Sequence, residues 1–158
     1  MSERGHRLLE TANGQISELI DLLAAGGAAA MRLPCRQKLG DGTVGATALH
    51  TTESYGRIAA FLRGAVDGAR GVEHGDGAED VDLDAVLAQL TTTADNLAVL
   101  ADLSDEQLDT VPPAGAMRFC DGRRTLEQVV TSVLRHQRHQ IDALQAAVGQ
   151  DDRPLPGP

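Results

Sequence analysis

Residues 125–149, TLEQVVTSVLRHQRHQIDALQAAVG, indicate most clearly how this chain folds. Thr125 and Gln128 match a capping box, the pattern that begins a helix. The spacing that follows places one stripe of side chains along a single face of that helix. The stripe consists of Leu126, Val130, Val133, Gln137, Gln140, Leu144 and Val148. The segment therefore predicts an amphipathic helix whose apolar face is interrupted by two glutamines.

Three more segments have apolar residues at helical spacing, each bounded by residues that start or stop helices. Together with the first segment they predict an all-α fold, a four-helix bundle. We expect residues 1–150 to form one domain and 151–158 a loose C-terminal tail. The first helix is predicted over residues 6–25, with a stop at Gly26-Gly27. The second is predicted from Thr43 or Asp41 to about 68–71, and the third from Asp82 to about Ala101.

The remaining segments read as connections, and none has a convincing strand pattern. Residues 28–41 and the acidic stretch 72–81 are predicted to be loops. In the last connection, the capping box Ser104–Gln107 predicts one short helical turn. Further along, Met117–Cys120 is predicted to be a short extended piece before a turn at Asp121-Gly122.

The composition argues against several classes of partner. The chain has 158 residues and a net charge of −9, and Tyr55, Phe61 and Phe119 are its only aromatic residues. A nucleic-acid-binding protein needs a basic surface and aromatic platforms, so we expect no nucleic acid partner. No run of about 20 apolar residues is present, so we expect no membrane partner.

The cysteines and the first residues favour a cytoplasmic protein. Only Cys35 and Cys120 occur, and the chain begins without an apolar signal segment. A reducing compartment is the default for such a chain. A disulfide between the two cysteines remains an alternative.

Polar residues interrupt the apolar stripes of two helices. The second helix carries Thr47, Thr51 and Ser54 in its seam, next to His50, and the last helix carries Gln137 and Gln140 next to His136. Hydroxyl groups on a helix are satisfied by the carbonyl one turn earlier, whereas buried amides need another partner. The two polar layers are level only if these helices run antiparallel, which favours a bundle with a long crossover connection.

The polar layer has two open interpretations. In the first, His50, His136, His139 and Gln140 are candidate ligands of a divalent metal such as Zn, Ni or Fe. In the second, the RHQRHQ run is a solvated polar face. Glu53 also has two interpretations: its carboxylate orients the His50 ring, or it pairs with Arg57 on the surface.

Two long segments resemble the DinB/YfiT-like superfamily of metalloenzymes. Residues 40–62, GDGTVGATALHTTESYGRIAAFL, resemble its second helix, and residues 123–149 resemble its fourth. The connector segment 112–124, PPAGAMRFCDGRR, is similar in style to the family's. The resemblance implies a DinB-like bundle of up-down-down-up type. It also implies a three-histidine metal site, matched here by His50 and His136 but with Gln140 at the third position.

The resemblance further implies a function. Some members are mycothiol-dependent transferases or isomerases, in which a metal-bound thiol becomes a thiolate. We therefore expect a metal-dependent enzyme that uses a low-molecular-weight thiol and a small-molecule substrate. Arg118, Arg123 and Arg124 are candidates to bind a substrate carboxylate. The alternatives are a non-catalytic small-molecule-binding or stress-associated relative with a degenerate metal site, and a homodimer module in which the two glutamines pair across the seam.

Overall fold

The structure, a computed structural model, describes residues 3–37, 40–64 and 82–152. It is mostly helical, as predicted. The described residues form five α-helices, one 3₁₀ turn and one two-stranded hairpin. In chain order these are α1 (Glu3–Ala30), β1 (Pro34–Gln37), β2 (Gly40–Thr43), α2 (Val44–Leu62), α3 (Leu83–Leu97), the 3₁₀ turn (Ala98–Asp102), α4 (Asp105–Leu108) and α5 (Leu126–Asp152).

Four helices begin where their capping residues predict. The side-chain oxygens of Thr43, Asp82, Ser104 and Thr125 each accept a hydrogen bond from a backbone N–H of the turn that follows. In both capping boxes a glutamine side chain accepts the cap residue's own N–H in return. These starts depend on residues within three positions of each other, which is why sequence alone locates them.

The segment after the first helix differs from the prediction. Gly27 has φ 70°, so α1 is broken there, but helix continues to Ala30 instead of giving way to a loop. The predicted loop 28–41 then contains the antiparallel hairpin β1–β2. Each strand is only four residues long, which is too short for an alternating pattern to be visible. The hairpin leads into α2, whose Val44 N–H bonds the carbonyl of Leu33 at 2.8 Å.

Three other predictions about where elements lie differ from the structure. The second helix ends at Leu62, earlier than predicted, because Gly64 adopts a left-handed φ of 76° and ends it. Met117–Cys120 forms turns instead of an extended piece, with the Cys120 N–H bonded to the Met117 carbonyl. Helix α5 includes Asp151 and Asp152, so the tail is shorter than predicted. The predicted loop 72–81 and the end of the tail lie outside the described residues.

The long helices share one apolar core, which includes Leu19, Tyr55, Leu90 and Leu144. Helix α1 packs against α3 and α5, and α2 packs against the same two helices. Close packing suits the small side chains of this core, since few aromatic residues are present to fill gaps.

The contact positions define how the helices are aligned. Between α1 and α5 the residue numbers at the contacts increase in both helices, from Arg4–Glu127 to Glu18–Arg138. Along α2 and α3 they also advance together, from Gly56 opposite Thr93 to Arg63 bonded to Asn96. Cys35 of β1, which precedes α2 in the chain, contacts the carbonyl of Ala143, whereas Thr51 within α2 contacts Gln137. The residue numbers at these contacts change in opposite directions, so α2 and α5 are antiparallel in their contacts.

Two buried glutamines connect these helices. Gln15 of α1, 6% exposed, accepts the Tyr55 hydroxyl of α2 at 2.7 Å and donates to the Leu134 carbonyl of α5 at 2.9 Å. Gln137 of α5, 0% exposed, donates to the Thr51 carbonyl of α2 at 2.7 Å. Gln137 Nε2 therefore has its partner within the chain, whereas Gln137 Oε1 is buried without a hydrogen-bond partner among the described residues.

The buried hydroxyls of α2 behave as predicted. Thr51 donates to the Thr47 carbonyl at 2.8 Å, and Ser54 donates to the His50 carbonyl at 3.0 Å. Burial raises the pKa of Tyr55, so its hydroxyl keeps the proton that it donates to Gln15. These bonds satisfy the hydroxyl groups of Thr51, Ser54 and Tyr55.

We predict that Tyr55→Phe lowers the free energy of unfolding by about 1–3 kcal/mol, because it leaves the buried Gln15 carbonyl oxygen without its donor. Urea unfolding measures the change. Ser17→Ala, on the exposed side of α1, is the control. In a Gln15→Met background the Tyr55→Phe cost should fall, since both polar partners are then absent. An equal cost in both backgrounds would contradict the role of this bond.

We also predict that acid weakens the contact between α1 and α5. Arg138 hydrogen-bonds both carboxylate oxygens of Glu18 and lowers the pKa of Glu18 from its ordinary value of 4.5. A lowered folded-state pKa stabilises the protein above pH 4.5, and this stabilisation is lost as the pH falls below that value. Glu18→Gln should cost up to about 1 kcal/mol at pH 7 and less at pH 3 by urea unfolding. Glu3→Gln, at an exposed pair within α1, should change little at either pH; a Glu18→Gln cost that does not depend on pH would contradict the prediction.

Candidate functional site

A cleft of about 390 Å³ lies between α2, α5 and the α4–α5 connector, residues 109–125. We call it the α2–α5 cleft. Helix α2, helix α5 and the connector each supply both polar and apolar side chains. The polar lining is His50, Ser54, Arg57, Arg118, His136 and Gln137. The apolar lining is Ile58, Met117, Phe119 and Val133.

The structure brings two of the four candidate metal ligands into this cleft. His50 on α2 is exposed and His136 on α5 is half-buried, and both line the cleft. Gln140 lies one turn after His136 and contacts its ring. His139 is exposed and does not line the cleft. Glu53 also lies outside the lining residues, on the same helix as His50.

The contact between His136 and Gln140 suggests an assignment of the ring proton. The Gln140 amide nitrogen lies 3.2 Å from His136 Nε2. An amide N–H donates, so Nε2 accepts and the ring proton is assigned to Nδ1. Gln140 Oε1 is buried without a hydrogen-bond partner among the described residues. An acceptor is therefore left available beside the imidazole.

His136 is held as a neutral base. Burial lowers its pKa first, and the positive charges of Arg118, His50 and His139 lower it further. The neutral form is the one that accepts hydrogen bonds and binds metals. The aromatic ring of Phe119 lies against it, with the two ring centroids 6.2 Å apart.

The three candidate carboxylate-binding arginines occupy different places. Arg118 lines the cleft, and its guanidinium carbon is 5.2 Å from the Phe119 ring centroid. Arg124 donates to the Phe119 carbonyl at 3.4 Å and pairs with Asp121 at 3.9 Å, so its charge is used within the connector. Arg123 is exposed and outside the cleft. Only Arg118 is placed to meet a ligand there.

Of the lining residues that the sequence analysis does not predict as site residues, Arg57 and Phe119 matter most for the chemistry of the cleft. Arg57 lies two turns after His50 on the same face of α2, a spacing that sequence analysis can detect, and its guanidinium donates to Ser54 Oγ at 3.1 Å. Phe119 has a left-handed backbone, with φ 73°, which no sequence signal indicates.

The charge of the cleft contrasts with that of the chain. Arg57 and Arg118 both line the cleft, and no acidic side chain is among its lining residues in the described part of the chain. Two cysteines, Cys35 and Cys120, are buried as free thiols elsewhere. The cleft is thus a basic pocket in an acidic protein.

Within the described part of the chain, no three His, Cys, Asp or Glu side chains are grouped as a metal site would require. Gln140, one turn after His136, is not among the residues that line the cleft. None of the described helices combines the length and apolar character needed to cross a bilayer. Comparison with protein-family models, curated proteins and solved structures finds no match to this chain.

Proposed function

We propose that the α2–α5 cleft binds a small anionic molecule that carries a carboxylate. The observation that carries this proposal is the pair Arg57 and Arg118, two cations that line one cleft with no acidic side chain among the described lining residues. An arginine binds a carboxylate through charge-assisted, often bidentate hydrogen bonds. The neutral His136 adds an imidazole that can hold or accept a proton beside the bound anion.

The apolar side of the cleft indicates the rest of the ligand. Ile58, Met117 and Val133 form walls that favour a compact apolar group attached to the anion. Exclusion of water by these walls strengthens the attraction between the arginines and the carboxylate. The cleft therefore suits a small amphipathic acid better than a strongly hydrated ion.

We also propose that the chain is a four-helix bundle of up-down-down-up type in the DinB/YfiT-like superfamily. The support is the alignment of the contacts: α1 with α5 and α2 with α3 in the same sense, and α2 with α5 in the opposite sense. The packing of α1 and α2 each against both α3 and α5 supports the same arrangement. The link from α2 to α3 lies largely outside the described residues.

A second candidate function is a metal-dependent thiol transferase or isomerase, possible if His50, His136 and Gln140 hold a divalent ion. One observation favours it: the end of the Gln140 side chain lies 3.2 Å from His136 Nε2, and Oε1 is buried without a partner among the described residues. Two ligands about 2.1 Å from one tetrahedral ion are roughly 3.4 Å apart. Rotation of the amide by a half-turn exchanges its nitrogen and oxygen, which places an oxygen donor beside the imidazole.

In that function the chain's own residues have defined tasks. A divalent ion, when bound, lowers the pKa of a thiol and supplies a thiolate nucleophile. Arg118 orients the substrate through a carboxylate, and the apolar walls exclude water. The positive charges of Arg57 and Arg118 oppose a cation by itself, so ion and anionic thiol are expected to bind together.

We predict that cyclohexanecarboxylate binds the cleft and that Arg118→Gln weakens it about tenfold, the loss of roughly one charge-assisted hydrogen bond. NMR titration that follows the ring signals of His50 and His136 measures the affinity. Cyclohexanecarboxamide, the uncharged analogue, should bind about tenfold more weakly as well. Arg123→Gln is the matched control, because Arg123 is on the same connector but outside the cleft. Equal binding of acid and amide would overturn the proposal.

We predict that the wild-type protein, dialysed against Zn²⁺, Ni²⁺ or Fe²⁺ with thioglycolate, retains about one ion per chain, and that His50→Ala and His136→Ala each abolish this. Gln140→His should tighten binding about tenfold or more, since imidazole is the better ligand for these ions. His139→Ala should change nothing. Elemental analysis gives the stoichiometry, and a protein that stays metal-free after loading would rule out the second candidate function.

A further inference from the structure

We propose that Phe119 is a positioning residue that holds the Arg118 guanidinium in place for an anionic ligand of the α2–α5 cleft. The inference rests on the proposed function, because it explains how that cleft presents its cation. It assigns a role to the ring of the one described non-glycine residue with a left-handed backbone.

The backbone at Phe119 is strained and well supported. Its φ of 73° is the only positive value at a non-glycine residue in the described part of the chain. A bulky residue is rarely found in this region, and such strain persists only where the surrounding structure enforces it. Here the neighbouring turns enforce it: the Cys120 N–H bonds the Met117 carbonyl at 3.0 Å, and the Gly115 N–H bonds the Cys120 carbonyl at 3.0 Å.

The strained backbone places the ring among three cationic or basic groups. Arg118 lies 5.2 Å, Arg124 6.0 Å and His136 6.2 Å from the ring centroid. The two arginine distances are within the range in which a guanidinium is attracted to an aromatic face. One phenyl ring therefore connects the connector to α5.

The two arginines differ in what else holds them. Arg124 is fixed by Asp121 and by the Phe119 carbonyl. Arg118 is exposed, and its guanidinium lies over the Phe119 ring. Without the ring, the Arg118 side chain loses this contact at the cleft. Because an ordered side chain loses less entropy when a ligand binds, the ring should increase the affinity for an anion.

The test combines a variant that lacks the Phe119 ring with a double-mutant cycle. Phe119→Leu keeps the apolar bulk and the left-handed backbone but removes the ring, and it should weaken cyclohexanecarboxylate binding about fivefold, while Phe119→Tyr stays within about twofold. In an Arg118→Gln background, Phe119→Leu should change the affinity less than about twofold, since its effect acts through Arg118. The same fivefold loss in that background would overturn the inference. Thermal unfolding checks that each variant is folded.

A second measurement does not need a ligand. In the free wild-type protein, the Nε–H signal of Arg118 should be shifted by the Phe119 ring current and should be more ordered than that of Arg123, the exposed arginine of the same connector. Phe119→Leu should remove both differences. Equal disorder of the two arginines in the wild type would overturn the inference. Failure of the wild type to bind the probe, with Arg118 ordered as described, would instead overturn the proposed function alone.

Discussion

The buried hydrogen bonds of Gln15 and Gln137 fix the register on which the rest of the structure depends. Gln15 joins α1 to the Tyr55 hydroxyl of α2 and to the Leu134 carbonyl of α5, and Gln137 joins α5 to the Thr51 carbonyl of α2. Apolar side chains alone allow helices to slide, whereas a buried amide must keep its partner. A slide of one turn would leave these amides unsatisfied. The same register places His50 beside His136 in the cleft.

The distribution of arginines explains how an acidic chain forms a basic cleft. Near the contact between α1 and α5, Arg4 forms ion pairs with Glu127 and Asp109. Arg138 forms ion pairs with Glu18 and Asp142. Arg57 and Arg118 remain at the cleft. The net charge of −9 thus describes the surface as a whole and not the site. An anion entering the cleft moves from a repulsive surface to an attractive pocket, which favours selective binding of small ligands over extended polyanions.

Sequence analysis could predict what short-range patterns determine. The starts of helices at Thr43, Asp82 and Thr125 follow from capping residues, and the equal depth of His50 and His136 follows from counting residues along two helices. The break at Gly27 falls where the Gly26-Gly27 pair predicts a stop, whereas the left-handed backbone of Phe119 is set by the turns around it, about which periodicity carries no information. The spacing of α5 predicts that Gln137 is a buried polar residue in need of a partner, but it does not identify that partner as a backbone carbonyl on another helix. The metal-binding role of His50, His136, His139 and Gln140 stays a prediction.

The separation of the glutamine bonds along the chain has a consequence for biosynthesis. Gln15 and Leu134 are 119 residues apart, and Gln137 and Thr51 are 86 residues apart. Both bonds require α5, so neither can form until the ribosome has extruded that helix. Until then, the faces of α1 and α2 that pack on α5 remain uncovered, a state that invites aggregation and chaperone binding. The core can therefore be completed only after α5 has left the ribosome.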